Sequence, residues 1–211
     1  ASESFKQDSL APRLQNSLRY TAEGSDLRND MIIHHVSGVG REDRYMFSRA
    51  EPMGFSMVPC IHLAEGSGEV TLNSTDPYVQ PVLDYNYLEN AYDRVRLREA
   101  VYICLNLSSR KPWEDLIAGR ISPSDSDLLT ESTLDEWLSR NVATSHHVSG
   151  TCKMGSSSDS MAVVDQYGKV HGVEGLRLAD ASIMPDCIRA NTNATAMVIG
   201  ERVADFIRAG L

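Results

Sequence analysis

Basic charge is what this sequence lacks most visibly. Lys and Arg number 20 against 29 Asp and Glu, a formal net charge of −9. The basic residues are scattered, so no stripe exists on which a nucleic-acid backbone could be neutralised. Apolar runs are short as well, and none approaches the ~20 residues that a membrane-crossing helix needs. The opening stretch, ASESFKQDSLAPRLQNSLRY, has no signal-peptide layout. Cysteine is sparse and dispersed: Cys60, Cys104, Cys152 and Cys187 form no CxxC pair, which argues against a zinc site or a thioredoxin-type redox centre. A phosphate cradle is missing too. GVGRED at Gly38 follows a strand-like run, but the place of a third glycine is taken by Asp43, so the segment reads as a turn.

What is present is a chain with 42% hydrophobic residues, enough to bury a real core. Residues 1–30 are polar and read as loop. MIIHHVSG then has the β-branched content of a strand, ended by Gly38 and Gly40. GFSMVPCIHLA (54–64) and GEVTLNS (68–74) are two more strand candidates, and VLDYNYL is a short one. Pro77 and Pro81 make a loop between them. From Asn90 the period changes: Leu97, Val101, Cys104 and Leu105 share one helical face, and Pro112 ends it. Thr133 and Glu136 have the spacing of a capping box for a second helix. AVVDQYGKVHGVEGLRLAD reads as short strands around a turn at Gly168. A last helix is expected from about Ala194 to Arg208, stopped by Gly210. Strands first and helices afterwards give an α+β class, a mostly antiparallel sheet flanked by helices.

Two stretches could carry chemistry. The first is TSHHVSGTCKMG, residues 144–155, with adjacent His146 and His147; His34 and His35 form a second pair. Neighbouring residues on a strand point to opposite faces, so neither pair readily gives two ligands to one ion, and no metal is expected. The second stretch is LRLADASIMPDCIRANTNATAMVIGERVADFI (176–207). A strand, Leu176 to Ala179, runs into Asp180, Ala181 and Ser182, and Asn191-Thr192-Asn193 stands at the mouth of an apolar helix. A helix N-terminus offers unpaired N–H groups and suits an anion. Taken alone, Asn193 reads first as an N-cap, a place Asn favours.

Together these stretches closely resemble the glucose–methanol–choline (GMC) oxidoreductases. The family pattern is a His and small residues before Gly-Thr-Cys-Arg/Lys-Met-Gly. A Val-x-Gly-Val-x-Gly-Leu-Arg-Val-x-Asp-Ala-Ser strand follows, then an Asn-x-Asn or His-bearing loop and a terminal helix. Here these read HVSGTCKMG, VHGVEGLRLADASIMP and NTNATAMVIGERVADFI. GSGEVTLNSTDPYVQPVLDYNYL resembles the family's Gly-x-Val-x-Leu-x-Ser-x-Asp-Pro segment. The likeness covers about residues 30 to 211, weakly between 107 and 140. Two departures stand out. Leu63 to Ser67 replace the usual Pro-x-Ser, and Val148-Ser149 replace Pro-Val after the histidine.

The resemblance implies a substrate-binding domain over 1–160, with the first ~25 residues loop-like. It also implies that 161–211 form the C-terminal segment of an FAD-binding α/β domain, which the last strand and helix complete. The family's N-terminal GxGxxG half would be a partner, from the same precursor or a separate chain. The implied cofactor is FAD and the implied substrate a small alcohol. Counting back four from Thr151 selects His147 as the base that takes the hydroxyl proton while hydride passes to flavin N5, with His146 only a neighbour that shapes or orients. Such bases contribute about 10²–10⁴-fold. Asn193 matches the second active-site position, and Asp180, Ala181, Thr192, Asn193, Ala194 and Thr195 are expected near FAD. The same family includes hydroxynitrile lyases, so acid–base chemistry without net redox is the alternative, with a non-catalytic substrate-domain fragment lacking FAD a third.

Overall fold

The computed structural model describes residues 14–39 and 54–211. They fall into two compact units, Ala1–Gly66 with Tyr87–Val142, and Ser67–Asn86 with Ala143–Leu211. The division expected at residue 160 lies inside the second unit.

The first unit is built on three antiparallel strands in the order β1 (Leu14–Tyr20), β2 (Met31–Val39), β3 (Gly54–Ile61). The expectation of a loop over residues 1–30 is therefore corrected for 14–20, holds for 21–30, and for 1–13 lies outside the described residues. Residues 14–20 pair with β2 from Leu14↔Val36 to Tyr20↔Met31. Their composition concealed this, because Asn16, Ser17, Leu18 and Arg19 are exposed and the strand exists through the backbone edge that β2 offers. Of GVGRED, Gly40 to Asp43 lie outside the described residues.

β2 is covered on both faces, with the consecutive residues Met31, Ile32 and Ile33 all buried. Met31 belongs to the core with Leu97, Ala100 and Val101 of helix α1 (Ala91–Ser108), Leu134 and Leu138 of helix α2 (Glu131–Asn141), and Ala22. Asn90 caps α1, its side chain accepting from the Tyr92 amide at 2.7 Å. For α2 the cap is Thr130, not the expected Thr133. Thr130 Oγ1 accepts from the Thr133 amide and Thr133 Oγ1 from the Thr130 amide, both at 3.1 Å. Thr133 is thus the returning member of a capping box that starts three residues earlier.

One polar knot crosses this unit. The Arg96 side chain is fully buried. It donates to Asp30 at 3.1 Å, to the Leu63 carbonyl at 3.1 Å and to Asp93, with the Tyr92 ring 4.8 Å from the guanidinium. Asp93 also accepts from the Glu65 and Gly66 amides at 3.1 and 2.9 Å. Burial opposes charge on Asp30, but hydrogen bonds from the Ala22 amide, Ser25 and Arg96 outweigh it and hold the carboxyl below its ordinary range. The knot ties α1 to the loop before β2 and the loop after β3, which lie at one end of the sheet, where Met31 pairs with Ile61.

In the second unit the regular elements are a short hairpin, β4 (Glu69–Thr71) with β5 (Val82–Asp84), and helix α3 (Asn193–Arg208). The strand expected over Leu176–Ala179 is a single bridge, Lys169↔Arg177. Residues 150–183 are instead held by a sparse ladder. Gly150, Cys152 and Met154 amides donate to the carbonyls of Ala181, Ser182 and Ile183 at 3.2, 2.9 and 2.9 Å. The turn expected at Gly168 is there, with φ at 77°. A Cβ at that position would lie 2.6 Å from the Leu178 carbonyl oxygen, so glycine is required by both space and conformation. Val164, Ile183, Met184 and, on α3 itself, Val203 are buried, and Tyr167 meets Phe206 of α3 edge to face at 5.2 Å.

Candidate active site

The two histidine pairs separate once side chains are placed. On β2, His34 Nδ1 lies 2.7 Å from Ser17 Oγ. His35 faces the other way, with ring centroids 5.2 Å from Phe55 and 5.6 Å from Trp113. Both His35 ring nitrogens are buried without a hydrogen-bond partner, and burial pushes its pKa down, so this ring is a neutral packing group. Among the described residues no three His, Cys, Asp or Glu side chains gather as a metal site. The thiols of Cys60 and Cys104 are pushed by burial up to about 11, which makes them inert as nucleophiles.

His146 and His147 differ through the backbone. His146 is exposed and sits at φ 65°, a left-handed position that L residues seldom adopt. Its amide donates to Thr144 Oγ1 at 3.0 Å, so it acts as a turn residue. That turn sends the half-buried His147 side chain toward the loop before α3. Gly150, at φ 77°, then swings the chain onto the Ala181 carbonyl, bringing the histidine segment beside the Asp180-Ala181-Ser182 turn.

His147 Nδ1 lies 3.2 Å from Thr192 Oγ1, and its Nε2 lies 2.7 Å from Asn191 Nδ2. The Thr192 amide is 3.5 Å from Nδ1. The structure thus brings together His147 and Thr192, both expected, with Asn191, whose part was not foreseen. The motif Asn191-Thr192-Asn193 offered two asparagines, and only the loop conformation tells them apart.

Asn193 is the first residue of α3, exposed, and its side chain has no hydrogen-bond partner among the described residues. The N-cap position falls to Thr192, which makes no side-chain capping bond because its hydroxyl is spent on His147. No acidic residue occupies the first turn of α3. The helix therefore presents uncapped amides and an uncompensated positive end, with exposed Asn193 and Ala194 and half-buried Thr195 around it. Asp180 is exposed and accepts from the Ser182 amide at 2.7 Å. Hydrogen bonds from Ser182, hydroxyl first and amide second, hold its carboxyl below the ordinary range. A cavity of about 520 Å³ in this unit is lined by Met154, Gly155, Ser156, Asp165 and His171, among others. None of the expected site residues lines it.

The profile of the family described as GMC oxidoreductase matches residues 64–200. An oxygen-dependent choline dehydrogenase of Cronobacter sakazakii is 43% identical over 141 residues, covering 67% of this chain and 25% of the relative. An uncharacterized GMC-type oxidoreductase of Mycobacterium bovis is 38% identical over 161 residues, covering 74% and 30%. Among solved structures, pyridoxine 4-oxidase from Mesorbium loti superposes with a TM-score of 0.75 at 22% identity, over 92% of this chain and 37% of that one. An Aspergillus oryzae formate oxidase variant studied for FAD modification gives 0.75 at 26%, over 87% and 32%. The chain thus spans between a quarter and two fifths of the length of these proteins.

Proposed function

Because the chain belongs to the GMC oxidoreductase family, we propose that it carries the proton-handling half of an FAD-dependent alcohol oxidase or dehydrogenase. The FAD-binding portion that makes up the remaining length of its relatives is the partner, from the same precursor or another chain. The observation that supports this reading is the placement of His147 beside the mouth of α3, held at both ring nitrogens by Asn191 and Thr192.

The residues present fit the family's cofactor. An uncapped helix end without an acidic first turn favours a group that gains negative charge, and Asn193, Ala194 and Thr195 supply its backbone. Asp180 and Ala181 border the segment that the 150–154 ladder ties to His147. Thr192 has its hydroxyl on the histidine, so it serves FAD through its backbone alone. When bound, FAD accepts the hydride equivalent from the alcohol carbon. The chain's own residues do the rest. His147 takes the hydroxyl proton at a ring nitrogen, imidazole being suited to proton transfer near neutral pH. The free amide of Asn193 donates to the substrate oxygen as negative charge develops there. His146, fixed in its turn, takes no proton.

Anaerobic addition of alcohols to the flavin-bearing enzyme is the test. Bleaching of the flavin by a small alcohol, slowed at least about 10²-fold by His147→Ala, is the expected result. A yellow enzyme that no alcohol bleaches, yet that cleaves or adds to a carbonyl substrate, would overturn it in favour of acid–base chemistry without redox. The 211-residue chain by itself, lacking a GxGxxG cradle, is expected to bind FAD only weakly in a titration, and submicromolar affinity would contradict that.

A further inference from the structure

The stretch that carries His147 is almost without backbone support. Helix α2 ends at Val142, whose amide donates to the Leu138 carbonyl at 2.7 Å. The next bond between backbone groups is at Gly150, whose amide donates to the Ala181 carbonyl at 3.2 Å. Between the two, no N–H or C=O of residues 143–149 meets another backbone group among the described residues. A single hydrogen bond reaches this backbone: Thr144 Oγ1 accepts from the His146 amide at 3.0 Å. It closes a turn of the kind in which a Ser or Thr hydroxyl takes the amide two residues on. The bond falls on the residue that needs it. His146 sits at φ 65°, where any side chain with a Cβ is strained.

We infer that Thr144 is a positioning residue: its hydroxyl holds His146 in the left-handed turn, and the turn aims the next residue, His147, at the loop before α3. The inference rests on the reading of His147 as the base. The φ angle of one residue sets the direction of the chain that follows. With the next anchor at Gly150, only residues 147–149 could absorb a change at His146. The strain of a left-handed non-glycine residue and the worth of one neutral hydrogen bond are of similar size, so the hydroxyl decides which conformation His146 takes. Ser145 and His146 are both exposed, so no packing around them holds the turn in the hydroxyl's place. Asn191 and Thr192 steady the imidazole once it has arrived, but they do not set the Cα from which it hangs. Thr144 bonds to no ring atom and acts through the His146 backbone.

Amide exchange and flavin reduction, both measured on the flavin-bearing enzyme, test this. Hydrogen exchange read residue by residue across 143–149 should show one slow amide, that of His146. Thr144→Val keeps the shape of the side chain and removes the acceptor, so this amide should become fast; in Thr144→Ser it should stay slow. In anaerobic stopped-flow reduction by alcohol, Thr144→Val should lower the limiting rate about two- to tenfold, the weight of one neutral hydrogen bond in the population of the aimed turn. Its melting temperature and FAD content should stay near wild type, and Thr144→Ser should recover the rate. Glycine takes a positive φ without strain. Adding His146→Gly to Thr144→Val should therefore recover rate as well, whereas adding His146→Ala should not. Three results overturn the inference and leave the base standing: a His146 amide still slow in Thr144→Val, a normal rate in that variant, or no recovery with glycine. A normal rate in His147→Ala overturns the base itself, and Thr144's part in the chemistry with it.

Discussion

The two units of this chain solve opposite problems. In the first, a regular sheet and two helices close over a contiguous core, and even its charges are buried in a knot where Arg96 pairs with Asp30 and Asp93. In the second, few side chains are buried, regular elements are short apart from α3, and residues 150–183 hang on individual backbone bonds. That unit leaves Leu72, Tyr78, Met161, Met197 and Val198 at 60–92% exposure. All the expected site residues lie in it. Irregular backbone is what lets His147, Asn191 and Thr192 converge, since a strand or helix would have spaced them by its own period. The lesson is a division of labour, in which stability is concentrated where no chemistry is expected.

The largest effect should come from the knot. Arg96→Met leaves Asp30 and Asp93 buried without their cation, a loss of about 3–5 kcal/mol. Urea unfolding should register it in the first unit. A near-neutral result would mean that the core tolerates an apolar replacement and that the contrast between the units is shallower than it looks. The same knot sets an acid limit. The Asp30 pKa is lowered in the fold, so its contribution is present above the unfolded carboxylate value and is lost as pH falls through the folded one. Melting temperatures taken downward from about pH 4 should drop more steeply in wild type than in Asp30→Asn.

Next in size, on the other side of the divide, is His147→Ala. Its loss of at least about 10²-fold in flavin reduction should come with a melting temperature near wild type, and His146→Ala should reduce the rate far less. Reversal of the two histidines would mean that the turn at His146 does not act as described. A smaller effect is expected at Gly168, where alanine meets the Leu178 carbonyl in a left-handed conformation. Gly168→Ala should cost about 1–3 kcal/mol, read by thermal unfolding, and it would show how much of the second unit depends on one turn.

Asn193→Asp should move stability least. Asn193 is the first helical residue and caps nothing, so an aspartate there gains about 0.3–1 kcal/mol from the helix dipole. If Asn193 donates to the substrate oxygen as proposed, the same charge should abolish most alcohol oxidation. Melting temperature and anaerobic reduction on one preparation check both. A stable variant with normal reduction would remove Asn193 from the chemistry.

Much of this was legible in the residues. β-Branched content and bounding glycines mark β2, a 3.6-residue period marks α1, and Gly210 stops α3 within its expected range, because these signals are local. The ordered run from His147 through Asp180 to Asn193 identifies the family without any structure. What composition could not reveal is β1, whose polar residues pair only because β2 is beside them. Nor could it place the α2 cap, since two threonines three residues apart can each open a capping box, and the helix begins at the earlier one.

The site divides in the same way. The sequence by itself set a histidine, an Asp-Ala-Ser turn and an asparagine-rich helix mouth in the order that marks the family, although each short motif alone has a plainer structural reading. Only the tertiary structure decided that Thr192 serves the histidine and not the helix cap, that His146 is a turn, and that Asn191 holds Nε2. Those outcomes depend on where the 144–155 segment lies against the loop before α3, some 45 residues away in the chain. Contacts at that separation are set by long-range packing and backbone hydrogen bonds, for which a linear sequence has no local signal.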